Sequence, residues 1–204
     1  NLGDDIIYTW KPGVYGGRLP DAEPGNPYED LWWKFVKGTD DATGRNTGTL
    51  TIGTDAADGT NLTLTPDTAP WVDLIWKIFG DADAKAGLSH VTHFVAQAGK
   101  ALTANLLLSA DSLTGLFAAN LGYTGLTRFT GTGFDVSNVT SLAHLFDGTS
   151  TLVQVLGIDG WKTGNVTDLS YMFAGNSKLT TITSLAPDGT KGTWDVRNVR
   201  DFSH

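Results

Sequence analysis

Hydrophobic positions follow one period in the first third of the chain and another in its second half. Residues 1 to about 36 are broken by Pro20, Pro24, Pro27 and neighbouring Gly residues, which favour turns, with a short strand only around Ile6 to Trp10. Trp32, Trp33 and Phe35 then open the first sustained apolar segment. In "TLTIG" Leu50 and Ile52 alternate with Thr, and in "NLTLT" Leu62 and Leu64 do the same. Period two puts each pair on one face and predicts a small antiparallel meander with one buried side. At "PDTAPWVDLIWKIFG" the period changes. Trp71, Leu74, Ile75 and Ile78 recur at helical spacing, with Pro70 suited to a first turn and Gly80 to a stop. A short helix running into a strand at "IWKIF" fits the same letters. The strand-like "HVTHFV" follows an acidic, Ala-rich turn.

From there the pattern repeats. "FDVSNVTSLAHLFDGTSTLVQV" begins at Phe134, returns as "WKTGNVTDLSYMFAGNSKLTTI" at Trp161, and starts again as "WDVRNVRDFSH" at Trp194. Val139, Leu142 and Leu145 are echoed by Val166, Leu169 and Met172, a spacing of three that predicts a short amphipathic helix. Leu126 and Phe129, Leu152 and Val155, then Leu179 and Ile182 mark a short strand in each unit. One such unit cannot bury its apolar edge alone, and stacking solves this. The expectation is an α/β repeat fold: a right-handed leucine-rich-like solenoid with one short strand and one short helix per unit of about 25 to 33 residues. A β-rich N-terminal cap or small domain over residues 1–86 precedes the repeats at 87–204, which are expected to stop inside a unit of a longer array.

Composition narrows the function classes. The 25 Gly among abundant Thr, Asp and Asn support turns and β structure. A net charge of −8 without any Lys/Arg run disfavours nucleic acid and anionic membrane surfaces as partners. The chain has no cysteine, which excludes disulfides and Cys-based zinc sites. No apolar run reaches membrane-span length.

The two full repeats resemble those of BspA-like leucine-rich repeat bacterial surface proteins. Trp161, Asn165, Val166, Thr167, Asp168, Tyr171, Met172, Phe173, Gly175, Ser177, Leu179 and Ile182 fall on the pattern of that family, and Asp135, Ser137, Asn138, Val139, Thr140, Phe146, Gly148, Ser150 and Leu152 match in the repeat before. The family's frequent Cys is replaced by Thr149 and Asn176, and "APDGTKGT" lengthens the last spacing. The resemblance implies an extracellular, cell-surface protein of adhesin type. Its partners would be a host or microbial surface glycoprotein, mucin or matrix protein, with glycans as a further class. The alternatives are a structural cap and stalk presenting another module, and a carbohydrate-binding module built on the N-terminal aromatics.

If the strand apolar residues point inward, their neighbours form a solvent-facing candidate surface: Thr127, Arg128 and Thr130, then Val153, Gln154 and Leu156, then Thr180, Thr181 and Thr183. Trp10, Tyr15, Trp32 and Trp33 are a candidate secondary site for sugar stacking, weighed against a cap on the open end of the repeats. His90 and His93 lack a third metal ligand and read as ordinary histidines. Asp55, Asp58, Asp81 and Asp83 match no EF-hand or calcium β-roll loop, so they read as turn formers, with calcium kept as the alternative and no other cofactor implied. The sequons at Asn61, Asn138 and Asn165 are given no role. No catalytic motif is present, and an enzyme is not expected.

Overall fold

The computed structural model describes residues 13–18, 30–40, 42–55, 61–64, 87–97, 105–108, 115–183 and 194–204. Seven strands form a mixed sheet in the order β1-β2-β3-β5-β7-β9-β10, and three form a second, parallel one in the order β4-β6-β8. The strands are β1 (Gly13–Arg18), β2 (Leu31–Thr39), β3 (Asn46–Thr54), β4 (Asn61–Leu64), β5 (His93–Ala96), β6 (Asn105–Leu108), β7 (Arg128–Thr130), β8 (Phe134–Asp135), β9 (Gln154–Leu156) and β10 (Thr181–Thr183).

The alternation read in the sequence sets the faces of the large sheet. Leu31, Trp33 and Phe35 of β2 are buried, while Trp32, Lys34 and Val36 point the other way. β2 and β3 pair antiparallel, as the alternating runs predict, and β1, which the runs do not mark, adds to the outer edge of β2. β4 does not join them. Asn61–Leu64 pairs in parallel with β6, a partner more than forty residues on, because a parallel pair needs a long crossover that no local pattern announces. β3 then pairs in parallel with β5, so the sheet runs without a break from the meander into the repeats.

Register now stacks one apolar residue per strand into a column. Phe35, Leu50, Phe94, Phe129, Val155 and Ile182 lie opposite one another in sequence along β2, β3, β5, β7, β9 and β10. All are fully buried except Ile182, 51% exposed at the last strand, where no further strand follows it among the described residues. A second column closes the core from the opposite side: Phe117, Phe146 and Phe173, with ring centroids 5.9 and 5.7 Å apart. Phe129 joins the two, 4.7 Å from Phe117 and 5.0 Å from Phe146.

The expected α/β solenoid with a helix in each unit is overturned. Val139, Leu142 and Leu145 are buried, yet residues 137–148 are turns and irregular backbone with a bridge from Ser141 to Asp168, and no helix spans them. The cause lies in where the backbone N–H groups go. Leu142, His144, Phe146 and Gly148 donate to Asp168, Ser170, Met172 and Ala174 of the next unit, at 2.9 to 3.0 Å. The intervening Leu145, Asp147 and Thr149 donate three residues back to Leu142, His144 and Phe146. An α-helix commits every interior N–H to its own chain and leaves none for a neighbour. Positive φ at equivalent positions, Gly115 (69°), His144 (58°), Tyr171 (56°) and His204 (60°), also breaks helical propagation once per unit. A spacing of three therefore arises here from chained turns rather than from helix.

Candidate functional site

The outer face of the large sheet carries most of the residues singled out in the sequence. In register across it run Val36, Thr49, His93, Arg128, Gln154 and Thr181. A parallel row holds Lys34, Thr51, Val95, Thr130, Leu156 and Thr183. Arg128 and Lys34 are exposed and Gln154, Thr130, Leu156 and Thr181 half-buried, so side chains from β2 to β10 share one open surface. Arg128 donates its Nε–H to Gln154 Oε1 at 2.8 Å, tying neighbouring strands together across the face.

Thr127, Val153 and Thr180 stand just before their strands and have a different role. The Thr127 hydroxyl donates to the Thr92 carbonyl at 2.9 Å and that of Thr180 to the Val153 carbonyl at 3.4 Å, each reaching back one unit. Thr151 does the same toward Leu126 at 2.7 Å. These hydroxyls staple neighbouring units of the stack together.

The aromatic group divides. Trp33 lies in the core, its indole N–H buried without a hydrogen-bond partner among the described residues. Trp32 is half-buried on the outer face, in the register row of Gly53. A Cβ at Gly53 would fall 2.4 Å from its Cζ2, so the indole occupies the space a side chain there would need. Trp10 lies outside the described residues, and Tyr15 is placed on β1, registered against Phe35.

His93 is on the outer face and His90 in the turn before β5, its N–H donating to Gly87. Among the described residues no cluster of three or more His, Cys, Asp or Glu offers a metal site. Of the candidate calcium ligands Asp55 is described, and Asp58, Asp81 and Asp83 lie outside. Burial and then the Arg128 charge hold the His93 imidazole below its ordinary pKa of 6.5, with Asp40 acting against them. The unfolded chain thus binds this proton more tightly, so stability is lost as pH falls from 6.5 through the folded value. An NMR titration should place the His93 midpoint below 6.5, and Arg128→Gln should raise it.

One feature escaped the sequence reading. His144, Tyr171 and His204 form an aromatic ladder along the turn edge, with centroids 4.7 and 4.5 Å apart. His144 Nδ1 also meets Asp147 Oδ2 at 2.6 Å. The signal was present as one ring at the same place in three repeats, but the left-handed backbone that aligns the rings has no sequence mark outside Gly115. Elsewhere a shallow groove of about 500 Å³ is lined by Phe134, Asp135, Gly157, Asp159 and Lys162 among others.

Residues 113–204 match the model of DUF285, described as a Mycoplasma protein of unknown function. The match covers less than half of the chain, and that family description assigns no activity. No curated protein and no solved structure matches the chain. Among the described residues no helix is long and apolar enough to cross a membrane.

Proposed function

We propose that this chain is a non-catalytic binding segment of a bacterial surface protein, an adhesin of BspA-like kind. It engages a host or microbial glycoprotein, mucin or matrix protein through the outer face of its seven-stranded sheet. The observation that carries this reading is the register: the same two outward positions recur from β2 to β10, giving a continuous surface of mixed polar and aliphatic groups. Repeat proteins use such extended faces to meet large partners. Arg128 suits the centre of such a contact, because arginine is enriched among residues that dominate binding energy.

The test is saturable binding of the intact chain to immobilised mucin, fibronectin, collagen and fibrinogen. Arg128→Glu should weaken it about tenfold to a hundredfold, the range expected for one hydrogen bond to a charged group. Gln154→Ala, which releases the Arg128 side chain, should weaken it less. Lys162→Ala, at an exposed residue of the groove that is not on any strand of this sheet, should leave it unchanged. Equal binding by wild type and Arg128→Glu would sink the reading and leave a scaffold role.

A further inference from the structure

We propose that the outer sheet face takes a carboxylate-bearing oligosaccharide, laid across β2, β3, β5 and β7 with a sugar ring on Trp32 and its acid groups at Lys34 and Arg128. The proposal rests on the reading of that face as a binding surface and names the ligand class.

Three observations carry it. Trp32 Cζ2, Cε2 and Cη2 fall 2.4, 2.8 and 3.1 Å from where a Gly53 Cβ would stand, so the indole lies over the glycine. The residue keeps part of its surface in solvent. A flat aromatic face suits the apolar C–H side of a pyranose, while the indole edge stays wet.

The second observation is charge. The chain holds 22 acidic residues against 14 Lys and Arg. Yet the titratable residues at outward positions of β2, β3, β5, β7 and β9 are Lys34, His93 and Arg128, with no carboxylate among them. The acidic group felt by His93 is Asp40, beyond the end of β2, and its Oδ1 already accepts the N–H groups of Ala42 and Thr43. Among the described residues, the outward strand positions of this face thus carry cations and no carboxylate in a chain that is acidic as a whole. Gln154 holds the Arg128 Nε–H, which fixes the guanidinium while its terminal nitrogens make no ion pair among the described residues.

The third is spacing. Lys34 and Arg128 are three strands and two residues of register apart, about 14 Å across the strands and about 7 Å along them, or roughly 16 Å in all. Acid groups separated by intervening sugars match that interval. A nucleic-acid duplex, with a charge about every 1.7 Å, would press most of its phosphates against a surface of the wrong sign.

The experiment is calorimetric titration of the intact chain with a glucuronate-containing hexasaccharide and a sialylated oligosaccharide. Each is paired with its carboxyl-reduced neutral counterpart, and a single-stranded oligonucleotide is run beside them. At least one acidic glycan should bind, and its neutral counterpart should bind about tenfold or more weakly, the factor one charge-assisted hydrogen bond carries. Lys34→Gln, at an exposed position, and Arg128→Gln should each cause a loss of similar size. Trp32→Ala should weaken both the acidic glycan and its neutral counterpart. The proposal falls if the neutral glycans bind as well as the acidic ones, if Lys34→Gln has no effect, or if the oligonucleotide binds as tightly. It falls alone, with the binding face intact, if Arg128→Glu abolishes glycoprotein binding while neither acidic glycan binds. Failure of every glycoprotein and glycan removes both.

Discussion

Phe129→Ala is expected to cost about 3–5 kcal/mol, the range for deleting a fully buried aromatic side chain. Phe129 is fully buried and touches both columns of the core. Its ring stacks on Phe94 at 5.7 Å, lies 4.7 Å from Phe117, and meets Phe146 and Trp161 edge-on at 5.0 and 6.3 Å. Removing it loses transfer free energy and several aromatic contacts, each worth about 0.5–1.5 kcal/mol beyond area. The cavity would lie between a sheet and a run of turns whose backbone is fixed by inter-unit hydrogen bonds, so collapse around it is limited. For a chain of this size such a loss lowers Tm by roughly 10 °C, measurable by calorimetry. Ile182→Ala, in the same column but half exposed, should cost far less. Equal losses at the two sites would mean that the column is not the core.

The same column shows what was legible beforehand. The sequence placed Leu126, Phe129, Leu152, Val155, Leu179 and Ile182 inward; the first four are fully buried, Leu179 is partly buried and Ile182 is 51% exposed. Binary pattern suffices there because each strand alternates against one core. It also placed Val139, Leu142 and Leu145 inward, and they are, but it inferred a helix to put them there. Periodicity reports which residues share a face and is silent on which carbonyl each N–H chooses. In this fold every second N–H chooses the next unit, a decision made by stacking rather than by local propensity. The strand at Asn61–Leu64 reads as part of the meander for a related reason, since its partner β6 is remote in sequence.

The candidate face was legible in part. Arg128, Gln154 and Thr181 share one register row, and each immediately precedes a position read as inward. Lys34 and His93 could not be joined to them without knowing that β3 pairs with β5, a contact across the break between the two periods. Trp32 and Trp33 are adjacent letters with opposite fates, and only the strand register separates the one over Gly53 from the one in the core.

Glycine at position 157 should be among the least replaceable residues of the chain. Gly157 follows β9 with φ at 72°, in the left-handed region where a side chain costs about 1–2 kcal/mol. A Cβ there would also stand 2.2 Å from Thr132 Oγ1 and 2.9 Å from Thr132 N, the second of which belongs to backbone and cannot swing away. Thr132 sits beside Gly131, whose carbonyl accepts the Trp161 indole N–H at 2.9 Å, so movement there disturbs a buried hydrogen bond. Strain and overpacking together put Gly157→Ala at about 2–4 kcal/mol. Gly160→Ala is the matched control three residues on. Nothing lies within 4 Å of a Cβ at that glycine, and the change should stay within about 0.5 kcal/mol. Urea denaturation compares both variants. A large loss at Gly157 with none at Gly160 ties the cost to the left-handed backbone and close approach that Gly157 has and Gly160 lacks. Similar losses at both would instead mean that this loop tolerates no side chain, whatever the stacking.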